Sequence, residues 1–283
     1  MANSNLNIAA SLTVPADRDI LVCIFQRGGA DGLNALVPFG DANYSIQRGS
    51  LAVPEASLIK LDGFFGLHPT LAALKPIYDA GDLALVHATG VPHQQRSHFT
   101  AQGLVERGVA TDTAGPDTGW LGRHIAAIPA TSDSAFRMVA ISGNVPVSLT
   151  GANDEPLAIS NLGEFGFDQD IMDSGYPQVL AELFRSPVPF FAPAGAALAA
   201  IEELQAADLS TITPDNGAVY PNTEFGEHLA TIAQMIKLQM GLHVATLDLG
   251  GWDTHTGHSY WVPILIGDLA QGLHAFYTDL DGG

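Results

Sequence analysis

"LHVATLDLGGWDTHTGH", Leu242 to His258, decides how this chain is read. Its first half is a short apolar run with β-branched residues, the pattern of a buried strand. Its second half opens on two glycines and then places Asp253, His255 and His258 within six positions. Asp253 and His255 lie two apart, so an extended segment puts both on one side. A carboxylate oxygen with imidazole nitrogens suits zinc, manganese or iron better than calcium. A polar loop is the plainer reading of the same residues. Metal-type ligands directly after a buried strand favour a site at the end of a sheet.

Working outward, the same alternation recurs. "DILVCIFQ" (19–26) is a second apolar run, closed by the glycine-rich "RGGADGLN" (27–34). "DLALVHATG" (82–90) and "FRMVAISG" (136–143) read as two more strands. Between them lie helical patterns. "HPTLAALKPIYDAG" has Leu71, Leu74 and Ile77 on one face, with Pro76 expected to kink it and Gly81 to end it. "SHFTAQGLVERG" starts with Ser97 as N-cap, and "GWLGRHIAAI" follows. Near the C-terminus, "NTEFGEHLATIAQMIKLQMG" puts Phe225, Leu229, Ile232 and Ile236 on one face, with Asn222 able to cap. A last helix carries Trp261, Leu265, Leu269, Leu273, Phe276 and Leu280.

Strands alternating with helices predict an α/β fold: a mainly parallel sheet sandwiched by helices, holding residues 20–26, 83–88, 136–142 and 242–249. Residues 1–283 are read as one domain, with the Gly-, Pro-, Asn- and Asp-rich stretch 144–222 as an insertion or cap. The chain stops just after a helix that would normally lead into another strand, so the last strands are expected to be missing.

Composition narrows the partners. The formal charge is −19, from 30 acidic against 11 basic residues. Nucleic acid is disfavoured, because phosphate backbones are held by clustered Lys and Arg. The acid excess favours cations. The single cysteine, Cys23, sits inside "ILVCIF" and reads as a core residue. No run approaches the roughly 20 apolar residues of a membrane span. The stretch 1–19 lacks a basic region followed by an apolar one, so no signal peptide is read in the chain as given.

In an open parallel sheet, ligands bind beyond the C-terminal strand ends. "RGGADGLN", "HATG", "HQQRSHF" and "GWDTHTGH" all fall there. Asp31 is a candidate ligand or the carboxylate of a simple Asx turn. Arg27 is a candidate anion clamp, since its planar fork matches phosphate or sulfate oxygens. The lysine of a P-loop is absent. Ser97 reads either as an N-cap or as a nucleophile at a helix N-terminus, where backbone N–H groups favour an anion. His87, His93 and His98 surround it. No G-x-S-x-G elbow is present, which disfavours an α/β-hydrolase.

"RGGADGLN", "GLHPTLAAL", "RSHFTAQ" and "GGWDTH", in that order, resemble the bacterial family called domain of unknown function 1501. That family is similar to the alkaline phosphatase and sulfatase superfamily, whose members hold one or two metal ions. The resemblance implies an alkaline-phosphatase-like fold and a metal-dependent hydrolase of phosphate or sulfate esters. It implies Ser97 as the catalytic nucleophile and Asp253 and His255 as metal ligands, with Asp31 near the superfamily's first-strand aspartate. His258 stands within reach as a further ligand. Arg27 and Arg96 would hold the ester's remaining oxygens. The cofactor would be a divalent metal, zinc or manganese. The substrate would be a small anionic ester, and the location periplasmic or secreted. The family continues beyond residue 283 into stretches that supply further ligands, so one metal site is expected to be incomplete here. The competing reading is an exported binding or structural protein that keeps the fold without the chemistry.

Overall fold

In the computed structural model, residues 19–281 are described, apart from 95, 112–114, 129–133, 168–169, 172–173, 185–191, 208 and 210–211. The stretch 1–18, read above for a leader, lies outside the described residues, as do parts of 144–222.

Four strands form a parallel sheet: β1 (Leu21–Gln26), β5 (Met138–Ile141), β6 (Leu157–Ala158) and β7 (Val244–Leu249), in the order β1-β7-β5-β6. β7 pairs with β1 from Leu21↔Val244 to Gln26↔Leu249, and with β5 from Met138↔Val244 to Ile141↔Leu247. The chain is therefore α/β with a parallel sheet, as its alternating pattern requires.

Both faces of the sheet are covered, because successive side chains point to opposite sides. Val139, Ile141, Ala245, Leu247 and Leu249 enter the larger core. Phe225, Leu229, Ile232 and Met235 of the helix Glu224–Lys237 meet them there, with Val262, Ile266 and Ala270 of the helix His258–Asp281. Met138, Ala140 and Val244 face the other way, onto Leu121 and Ile125 of the helix Trp120–Ala126. Cys23 packs against that second core, half-buried, and burial raises its thiol pKa. β1 is less buried than an interior strand, because among the described residues only β7 pairs with it.

Residues 83–88 do not join the sheet. Residues 82–87 carry no regular structure, although Leu83 and Leu85 pack against the larger core and Val86 is exposed. The period of two is real, but a strand also needs a ladder partner. Here the segment is held from the side: the Tyr277 hydroxyl donates to the Asp82 carboxylate at 2.7 Å. A second sheet, small and antiparallel, was not anticipated: β2 (Leu36–Val37), β4 (Gly66–Leu67) and β3 (Ile59–Lys60), in that order. Strands of two residues are too short to show alternation.

The "HPTLAALKPIYDAG" pattern forms, broken where proline predicts. Pro69–Leu74 is a 3-10 turn and Lys75–Ala80 an α-helix, with Pro76 in its first turn and Gly81 left-handed at its end. Buried His68 caps the 3-10 turn by accepting from the Thr70 N–H, and burial lowers its pKa. The stretch 144–222 supplies edge strand β6, and its helix Ala192–Ala206 places Ala200 and Leu204 in the larger core. Among the described residues, no helix is long and apolar enough to cross a membrane.

The helix after residue 222 is capped by Thr223, not Asn222: the Thr223 hydroxyl accepts from the Gly226 N–H at 3.1 Å and donates to Asp268 at 2.8 Å. Thr223→Ala should therefore cost about 0.5–2 kcal/mol, whereas Asn222→Ala should leave stability nearly unchanged. Urea unfolding of both variants decides it, and equal losses would return the cap to Asn222.

Candidate metal centre

The centre is built where β1 and β7 run out. The ladder continues past the strands: Arg27 N–H donates to the Leu249 carbonyl at 2.9 Å, and Trp252 N–H to the Arg27 carbonyl at 3.3 Å. Trp252 is buried in the larger core and anchors the loop after β7. Gly28 has φ +130°, and a Cβ there would lie 2.5 Å from the Asp253 nitrogen. A Cβ on Gly29 would lie 2.8 Å from His98 Cε1. The "RGG" glycines thus let two other segments close over them: the Trp252–Asp253 backbone and the start of the helix His98–Arg107.

That convergence assembles three ligand-type side chains. Asp253 Oδ1 lies 3.2 Å from His98 Nε2 and 2.8 Å from His255 Nε2. The two imidazole rings sit 5.5 Å apart at 69°. One donor atom from each of His98, Asp253 and His255 lies within 4.8 Å of the others. Ligands about 2.0–2.1 Å from a tetrahedral ion stand roughly 3.3–3.4 Å from each other, so these separations need little adjustment to accept one. Two nitrogens and a carboxylate oxygen fit zinc, and also manganese or iron. The Asp253 and His255 side chains are 55% and 78% exposed, so the centre is open on one side.

His98 is the member that sequence reading left outside the ligand set. It stands beside Ser97, but nothing local ties it to a loop 155 residues further on. The converse holds for Asp31 and His258. The structure brings these two together, His258 Nε2 to Asp31 Oδ2 at 2.8 Å, but with Arg48 on the same carboxylate oxygen. They form a separate ion cluster.

Ser97 is the N-cap of the helix His98–Arg107, its hydroxyl accepting from the Thr100 N–H at 3.5 Å. It is exposed and adjoins His98, which puts its Cα about 3.8 Å from that of a ligand-type residue. Exposed Arg96 precedes it. Arg27 is engaged elsewhere. Its Nε and Nη2 donate to the two oxygens of Asp248 at 2.7 and 3.0 Å, and Nη2 also donates to Glu106 at 2.9 Å. Burial alone would lower its pKa, but these carboxylates hold the guanidinium more firmly charged than usual. With Thr246 and Ser142, this group lines a cleft of about 330 Å³ at the ends of β5 and β7.

Residues 83–283 match the family model described as "Protein of unknown function (DUF1501)". The chain belongs to this family. The matched region holds Ser97, His98, Asp253 and His255, whereas Arg27, Asp31 and Arg48 precede it. No curated protein and no solved structure matches the chain.

The glycine contacts carry a prediction. Gly28→Ala should cost more than about 1 kcal/mol, because the new Cβ meets backbone and φ is left-handed. Gly32→Ala has open space and an ordinary φ, and should be neutral or stabilising by up to about 1 kcal/mol. Thermal unfolding of the two variants is the check. A well-tolerated Gly28→Ala would mean that the loops do not close this tightly.

Proposed function

We propose that the chain is a metal-dependent hydrolase of small phosphate or sulfate esters, of the alkaline phosphatase and sulfatase type implied by its sequence motifs. One observation carries the reading: His98, Asp253 and His255 converge at the C-terminal edge of the parallel sheet, one residue from the Ser97 hydroxyl. On this reading the three side chains hold a zinc or manganese ion. Such an ion supplies Lewis acidity and lowers the pKa of a neighbouring oxygen.

The chain's own groups do the rest. Ser97 Oγ attacks the phosphorus or sulfur, a bond forms there, and the ester bond to the leaving alcohol breaks. The Ser97 proton is released and the departing oxygen takes up a proton. Water then cleaves the Ser97 ester and frees the inorganic anion. The N–H groups at the start of the ten-residue helix face the negative charge of the transferring group. Arg96, exposed beside Ser97, takes the remaining oxygens, while Arg27 is held by Asp248 and Glu106. The family resemblance adds a periplasmic or secreted location.

The openness of the centre favours one alternative, an exported protein that binds a cation without turnover. Elemental analysis combined with assays on 4-nitrophenyl phosphate and sulfate separates the two. Metal and turnover support the hydrolase, whereas metal alone supports the binding protein. His98→Ala should lower bound metal and turnover together. Ser97→Ala should keep the metal, abolish turnover and cost about 1 kcal/mol through the lost cap. Full turnover by Ser97→Ala with normal metal content would remove the nucleophile assignment.

A further inference from the structure

We infer that Arg48, which is outside the ligand set, is a positioning residue that sets the affinity of the metal centre by locking the loop that carries Asp253 and His255. The inference rests on the metal-site reading above.

The ligand segment hangs between two fixed points. Upstream, Trp252 is bonded to the Arg27 carbonyl and buried in the core. Downstream, His258 opens the helix His258–Asp281, and its Nε2 is held 2.8 Å from Asp31 Oδ2. Asp253 and His255 lie between, largely exposed, and among the described residues their side chains are tied only to each other and to His98. How far they can drift therefore depends on the two anchors.

The downstream anchor is only as firm as Asp31. That residue sits on the glycine-rich turn and would swing with it. Arg48 prevents this by pairing with the same Asp31 oxygen while donating to Asn34 Oδ1 at 2.9 Å. A single nitrogen, Arg48 Nη2, makes both contacts and so holds both sides of the turn Asp31–Asn34. The cluster is well shielded: side-chain exposures are 18% for Arg48, 14% for Asp31 and 19% for His258, and Asn34 is buried. His258 Nδ1 and Arg48 Nε are buried without a partner among the described residues. Arg48 comes from a different element, the end of the helix Tyr44–Arg48, whose buried Tyr44 also donates its hydroxyl to the Leu33 carbonyl of the turn at 3.4 Å. The guanidinium also occupies the electrostatic place of a cation beside Asp31. A second dication there would be repelled, which assigns Asp31 and His258 to the anchor.

Zinc and manganese affinities of the whole chain, measured by chelator competition, test this. Arg48→Met should weaken binding about 10–100-fold, the range seen when groups that orient metal ligands are lost. Arg48→Lys, which keeps the charge but not the reach of Nη2, should recover part of it. Asp154→Asn breaks the Arg137–Asp154 pair at the opposite end of β5. It should lower stability yet leave affinity unchanged, which separates loop positioning from general destabilisation. Should Arg48→Met fail to fold, Asp31→Asn keeps the volume and must show the same loss. An affinity within about twofold of wild type for the folded Arg48→Met or Asp31→Asn protein overturns the inference alone. A wild-type chain that binds neither ion overturns the metal site and this inference with it.

Discussion

The parallel ladder between Leu21–Gln26 and Val244–Leu249 is the constraint on which the candidate centre depends. These strands are separated by more than two hundred residues, and their backbone hydrogen bonds run in register to the last pair, Gln26↔Leu249. Because the strands are parallel, both chains leave the sheet at the same edge. The ladder is then extended by the Arg27–Leu249 and Trp252–Arg27 bonds, so two loops are forced into contact. Contact at that range is possible only without a side chain on one of them, which Gly28 supplies.

Charge is distributed with similar economy. The chain has 11 basic residues against 30 acidic ones. Several of the bases are drawn into the interior-facing ion pairs: Arg27 with Asp248 and Glu106, Arg48 with Asp31, Arg137 with Asp154, and Lys237 with Asp279. For Asp279, burial alone would raise the carboxyl pKa, but Lys237, the Asp215 N–H and the Tyr220 hydroxyl bring it below the usual value. Acidic groups without such partners lie in more open places. At the sheet edge, the only charge partners of Asp253 among the described residues are two imidazoles. A carboxylate oxygen flanked by imidazole nitrogens and facing water is a natural place for a divalent cation.

The alternation of apolar runs and helical faces was enough to expect β1, β5 and β7, and the helices around them, because each signal is local. Phe225, Leu229 and Ile232 are buried as their spacing requires. Local pattern failed where a second requirement applied. The run 83–88 has strand alternation but no ladder partner among the described residues, and Asp82 is tied to Tyr277 instead. Asn222 has the chemistry of a cap, but Thr223 has the extended backbone of the capping position, with φ −136° and ψ 156°. The edge strand β6 and the three two-residue strands of the small sheet lie below the length at which periodicity can be read.

The candidate centre divides the same way. The sequence by itself determined that Asp253 and His255 share one side of a loop after a buried strand, since a spacing of two in extended chain fixes that. It also determined that Ser97 begins a helix, since a serine before a helical pattern caps it. Only the tertiary structure decided that His98 completes the group, that Arg27 is tied up by Asp248 and Glu106, and that Asp31 meets His258 directly, with Arg48 on the same oxygen, rather than joining the three ligand-type side chains. Spacing along a chain constrains residues within a turn or two. Contacts across more than a hundred residues are set by strand order and by how closely two loops can approach, and neither is written in any single stretch.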